Sequence, residues 1–148
     1  MKIMAVSADA ETVAGVLCRF LDPHNGSMDL SLYPGADFVP DSPRIGRIDP
    51  IKDYHSPLRV ASRDYEGVIV HDILHRHEMP LKLLQLIYRS MENSAEIIVV
   101  QNKGSIETSQ IEGWLEQAEF RAANTIGDLI EGYDVIVAKK MHMWGNGL

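Results

Sequence analysis

Apolar and polar positions along this chain switch between two periods. Short runs that read as strands occur at Lys2–Ser7, Met28–Tyr33, Gly67–Val70 and Glu96–Gln101, and Gly67–Val70 is rich in β-branched residues. Such runs predict strands, and the run from Gly67 to Val70 reads as one buried on both faces. Between the runs, apolar residues recur at helical spacing. Val13, Val16, Leu17, Phe20 and Leu21 form one stripe, and Leu81, Leu84, Ile87, Tyr88 and Met91 a second. Ile111, Trp114, Leu115 and Ala118 form a third, which makes Trp114 a core residue. Strand, helix and strand in that order predict a parallel sheet covered by helices.

The punctuation supports these elements. Asp9 is placed to cap the first helix, with Glu11 in its positive first turn. Asp22-Pro23 stops that helix, and His24-Asn25-Gly26 is a turn. Pro80 starts the second helix. Glu92-Asn93-Ser94 reads as a turn, and Ser109 with Glu112 as a capping box on the third helix. The last two strands, residues 120–126 and 133–139, are joined by Gly127 to Gly132. That connection is too short for a crossover helix, so the pair is antiparallel. The fold class is therefore α/β in three layers, a mostly parallel sheet with an antiparallel C-terminal hairpin strand.

Residues 34–57 break the pattern, with five prolines at 34, 40, 43, 50 and 57. They predict a long irregular insertion within one domain spanning residues 1–148, with a short strand at Arg44 to Ile48. The insertion carries Tyr54, His55, Asp49 and Asp53.

Composition narrows the function. The chain has 148 residues, 45% hydrophobic and 24% charged, and a net charge of −7. The charge and the scattered lysines and arginines argue against nucleic acid, which needs a basic patch. No apolar run has membrane-spanning length. The single cysteine, Cys18, makes no internal disulfide and is expected to be an inert thiol. Cytoplasm is the expected compartment. The tail from Met141 to Leu148 is apolar, and Trp144 within it suggests a homodimer or a protein partner.

His71, Asp72, His75 and His77 form the densest polar cluster, at a strand's carboxyl tip, where open parallel sheets meet ligands. A metal or acid–base site there is weighed against solvated histidines and an aspartate that caps a turn; no metal is assigned. No catalytic residue is assignable, because no nucleophile–histidine–acid motif, phosphate-cradling glycine loop or cysteine-rich pattern is present. Asp9, Asp72 and Lys103 at strand tips also admit a receiver-like signalling domain, although one acidic residue after the first strand fits it poorly.

The order of elements, with particular stretches, resembles the class I S-adenosylmethionine-dependent methyltransferases, a Rossmann-like family. The stretches are Asp64 to His75, Leu83 to Met91 with Ile97 to Val100, Trp114 to Phe120, and Tyr133 to Lys140. The resemblance implies a cofactor loop after the first strand, where Ser7, Asp9 and Glu11 stand, with His71 and Asp72 completing the pocket and Tyr54 and His55 closing it. Departures are equally clear. Val6 to Thr12 contains no glycine, Glu119 replaces a family glycine, and Leu32-Tyr33-Pro34-Gly35 stands where the family places a ribose-binding acid, the nearest carboxylate being Asp37. Glycine would let backbone approach the cofactor closely. Its absence implies that S-adenosylmethionine binding is lost, that no cofactor is expected, and that the chain is a binding, structural or regulatory subunit. The alternative is an active small-molecule methyltransferase using S-adenosylmethionine.

Overall fold

In a computed structural model, the buried run Lys2–Ser7 forms a central strand, β1. The structure describes residues 1–21, 23, 25–35, 42–56, 58 and 65–141. The elements that follow are α1 (Ala10–Leu21), β2 (Ser27–Leu32), β3 (Ile45–Pro50), β4 (Tyr65–His71), α2 (Pro80–Ser90), β5 (Met91–Asn102), α3 (Thr108–Gln117), β6 (Arg121–Ile126) and β7 (Tyr133–Lys139). They build one seven-stranded sheet in the order β3-β2-β1-β4-β5-β7-β6. β1 pairs in parallel with β2 and β4, and β4 with β5. β7 is antiparallel to both β5 and β6. This matches the mostly parallel sheet with an antiparallel hairpin, and it is not the all-parallel arrangement of a receiver.

Helices divide between the two faces. α2 places Leu83, Leu84 and Ile87 on one face, where Ile111 and Leu115 of α3 join Val68, Val70, Ile97 and Val99. On the other face, Val13, Ala14 and Leu17 of α1 pack on Ile3, Ala5, Met28 and Leu30. Every parallel strand therefore points its carboxyl end to one rim of the sheet, and the candidate residues collect there.

Several local expectations are corrected. β4 is not buried equally on both faces: Val68 and Val70 are buried but Ile69 is half-exposed, because α1 lies over β1 and β2. Glu92-Asn93-Ser94 is not a separate turn. Met91 leaves α2 in extended conformation and already pairs with Tyr65, and the register shift before Glu96 takes up the extra residues, with Ser94 at φ +71°. The short third strand ends at Pro50 rather than Ile48, an edge position where a missing N–H is tolerated. The Ser109–Glu112 capping box does not form. α3 begins at Thr108 with Glu107 at its N-cap and no side-chain cap bond, and Glu112 instead accepts the Thr125 hydroxyl at 2.7 Å. Trp114 is only partly buried against the core. The Cys18 side chain and residues Asp22, His24, Asp37, Asp64 and Trp144 lie outside the described residues, and with Trp144 goes the sequence argument for a dimer.

Candidate functional site

Two of the expected residues meet at the rim. Ser7 ends β1 and His71 ends β4, and their registers are directly opposed. The Ser7 Oγ lies 2.9 Å from His71 Nδ1. The same oxygen accepts the Asp9 backbone N–H at 2.8 Å, so Ser7, fully buried, ties the start of the β1 loop to the tip of β4. Burial holds His71 below the ordinary histidine range, against the pull of Asp72 and Asp9. Its ring also rests on Tyr133, with centroids 5.8 Å apart.

Asp9 and Glu11 stand at the start of α1. Asp9 caps α1: Oδ1 accepts the Thr12 N–H at 3.2 Å and Oδ2 the Thr12 hydroxyl at 2.8 Å. The hydroxyl bond is the main reason its carboxyl is held below its ordinary range. Glu11 is exposed on the first turn. Asp72 turns away from Ser7. With φ at +55°, its carboxylate accepts the Asn102 N–H at 3.2 Å and the Gln101 Nε2 at 3.3 Å.

Asp72 thereby joins a second polar group between the tips of β4 and β5. The Gln101 Nε2 is also 2.6 Å from His75 Nδ1 and donates to Ser105 Oγ at 3.0 Å. Gln101 is fully buried, and its Oε1 has no partner among the described residues. His75 lines a cleft of about 450 Å³ with His77, Glu107, Gln110 and Trp114. Among the described residues, no three His, Cys, Asp or Glu side chains group as metal ligands.

The crevice over the end of β1 is spanned by the chain's own groups. Gly35 follows the tip of β2 at φ +125°, and a Cβ there would lie 3.5 Å from the Ala8 Cβ and 3.8 Å from Arg76 Nη1. Tyr54, from the loop after β3, donates its hydroxyl to the Pro34 carbonyl at 2.6 Å. Arg76, from the loop after β4, donates to the Tyr54 hydroxyl at 3.1 Å. The Glu78 N–H reaches the Tyr54 carbonyl at 3.0 Å. Tyr33 stacks on Tyr54 with centroids 5.1 Å apart, and the His77 ring meets Tyr33 edge-on at 5.6 Å. His55 stays exposed, 3.6 Å from Glu78. The loops after β2, β3 and β4 are thus joined beside the end of β1, at the rim where an open α/β sheet holds its ligand.

Sequence reasoning missed Gly35, Arg76 and Gln101. The Tyr33-Pro34-Gly35 turn was a usable signal for the first, since glycine after proline marks a left-handed position. Gln101 closing a buried apolar strand was a signal for the third.

No protein-family model matches the chain, and no curated protein sequence does. Solved structures do. A S-adenosylmethionine-dependent methyltransferase from Aquifex aeolicus superposes with a TM-score of 0.76 at 11% identity, covering 95% of this chain and 82% of that one. Human N-acetylserotonin methyltransferase, solved in complex with S-adenosylmethionine, gives 0.69 at 16%, covering 95% of this chain and 48% of its own length. A putative methyltransferase of Haloferax volcanii, solved in complex with the Trm112 methyltransferase activator, gives 0.68 at 13%, covering 95% and 82%. The chain spans about half the length of the human enzyme. The strand order, the antiparallel β7 and these superpositions establish that the chain has the class I S-adenosylmethionine-dependent methyltransferase-like fold.

Proposed function

We propose that this chain keeps the methyltransferase fold without its cofactor and serves as a binding or regulatory subunit. One observation carries the reading: the Tyr54 hydroxyl, bonded to the Pro34 carbonyl and to Arg76, holds the Pro34-Gly35 turn across the strand-tip crevice beside Ala8. A cofactor seated there would have to break the Tyr54 hydrogen bonds. The residues nearest that place are already engaged. Asp9 caps its helix, Ser7 holds His71, and Asp72 faces Asn102. A methyltransferase-fold protein in a complex with a second protein has a precedent in the Haloferax volcanii pair.

The active-enzyme reading retains one observation, the cleft beside His75 and Trp114, which has the volume to seat a small acceptor. Thermal unfolding with and without millimolar S-adenosylhomocysteine separates the two. A ligand present at a hundred times its dissociation constant adds about 2.7 kcal/mol, roughly 5–10 °C for a chain of this size. The subunit reading expects no shift. A shift of that size, removed by Asp9→Ala, restores the enzyme.

A further inference from the structure

Closure of the crevice leaves one buried polar atom unpaired. The His77 ring is 7% exposed. Its Nδ1 accepts the Met79 N–H at 2.9 Å, so the neutral ring carries its proton on Nε2. That Nε2 is buried and has no hydrogen-bond partner among the described residues. The Ser56 carbonyl faces the ring and pulls on it, without hydrogen-bonding to Nε2. An unpaired buried donor is a cost that the closed arrangement carries.

Part of the cover over this ring is a short strap, residues 52–56. His55 and Ser56 share with His77 the wall of a cavity of about 220 Å³. The strap is anchored at both ends. Ile51 and Leu58 are buried in the core, and the Ile51 N–H donates to the Leu32 carbonyl at 2.6 Å. Between the anchors the turn is held by its own groups. Asp53 Oδ1 accepts the His55 N–H at 2.9 Å, and the Ser56 N–H and hydroxyl at 2.8 Å each. The segment can therefore move as one piece. Its ties to the body run mainly through Tyr54, whose hydroxyl meets the Pro34 carbonyl and Arg76 and whose carbonyl accepts the Glu78 N–H. The two side-chain bonds are exposed, and an element held by exposed bonds opens locally at low cost.

A second proton on His77 disturbs this arrangement. It must sit on Nδ1, where it faces the Met79 N–H, and Met79 is the N-cap residue of α2. It also places a cation in a buried ring. Burial holds the imidazole below the ordinary histidine range, against the Ser56 carbonyl and Glu78, while His55 on the strap adds to the downward push. Lys82 of α2 lines the cavity on the strap side, and His75 and Glu107 line the cleft on the other. Tyr33 links ring to strap, since it meets His77 edge-on and stacks on Tyr54.

We propose that residues 52–56 form a lid over the crevice that opens when His77 takes a proton. The inference adds regulation to the closed crevice of the subunit reading and rests on that reading. Closure is favoured above about pH 6.5, where an exposed histidine titrates, and weakens as pH falls through that value. The exposed His55–Glu78 pair, 3.6 Å apart, has the opposite sign, because charging His55 ties the strap to Glu78 more firmly.

The test is amide hydrogen exchange of the full chain by NMR, corrected for the intrinsic rate at each pH. The Glu78 N–H, bonded to the Tyr54 carbonyl, reads the lid, and the Ile51 N–H reads its anchor. Protection of Glu78 should fall about five- to tenfold between about pH 7 and about pH 5.5, while Ile51 keeps its own. His77→Gln should hold the Glu78 protection constant across that range. Tyr54→Phe, which leaves His77 in place, should lower it about three- to tenfold at both ends and keep the pH dependence. Protection that rises on acidification assigns the response to His55 and Glu78 and overturns the proposal. Unchanged protection overturns it too, as does a pH dependence that survives His77→Gln. So does loss of protection at Ile51 in step with Glu78, because the whole fold would then be loosening. No cofactor enters the measurement, so a lid indifferent to pH and a crevice that binds cofactor are separate failures.

Discussion

The Ser7 hydroxyl and the His71 Nδ1 lie 2.9 Å apart, joining the tips of β1 and β4 from side chains in opposed register. Because Ser7 also takes the Asp9 N–H, one hydroxyl serves two neighbours. Ser7→Ala leaves the part-buried Asp9 N–H and a half-buried His71 ring nitrogen short of a partner. It should cost about 1–3 kcal/mol in urea unfolding. An unchanged midpoint would mean that water replaces the hydroxyl.

Acid should destabilise the fold through His71 and His77. Burial holds both below the ordinary histidine range. The unfolded chain therefore binds protons first as pH falls. The contribution is fully present above about pH 6.5, is lost as pH falls through that value, and levels off once the folded histidines protonate. Urea midpoints measured between neutral and mildly acidic pH should fall, and His71→Asn should flatten the slope. A steeper slope in that variant would contradict the assignment.

The closed crevice makes its own demands on sequence. Gly35 sits at φ +125° with room for a Cβ beside Ala8 but not for an unstrained L residue. Gly35→Ala should cost about 1–3 kcal/mol. Tyr54→Phe loses the bond to the Pro34 carbonyl and the acceptor for Arg76, at about 0.5–1.5 kcal/mol. Both are read from thermal or urea unfolding, and a stabilised Gly35→Ala would place the loop elsewhere.

The start of α3 discriminates sequence from structure. Ser109→Ala should be within about 0.5 kcal/mol of neutral, since Ser109 does not cap the helix. Glu107→Ser puts a capping hydroxyl at the N-cap position, where no side-chain bond now exists, and should stabilise by about 0.5–1 kcal/mol. The opposite ranking in urea would restore the capping box.

These cases show what the residues disclosed and why the rest was hidden. β1, β4, the body of β5 and the final hairpin were legible because apolar runs and short connections leave few alternatives. The Ser109–Glu112 spacing looked local, but Glu112 was claimed by Thr125 on a distant strand. The start of β5 at Met91 depends on a bulge against Tyr65, which no periodicity records. At the rim, the position of Ser7 and His71 followed from strand ends. Asp72 faces Asn102 because of its left-handed backbone, and the closure by Arg76 and Tyr54 joins loops 22 residues apart in sequence.

Calorimetric titration of the full chain with S-adenosylhomocysteine tests the central claim most directly. A crevice closed by Gly35, Tyr54 and Arg76 predicts no binding heat up to millimolar ligand. Saturable heat with micromolar affinity, abolished by Asp9→Ala, would place the cofactor at the tip of β1 and contradict the account.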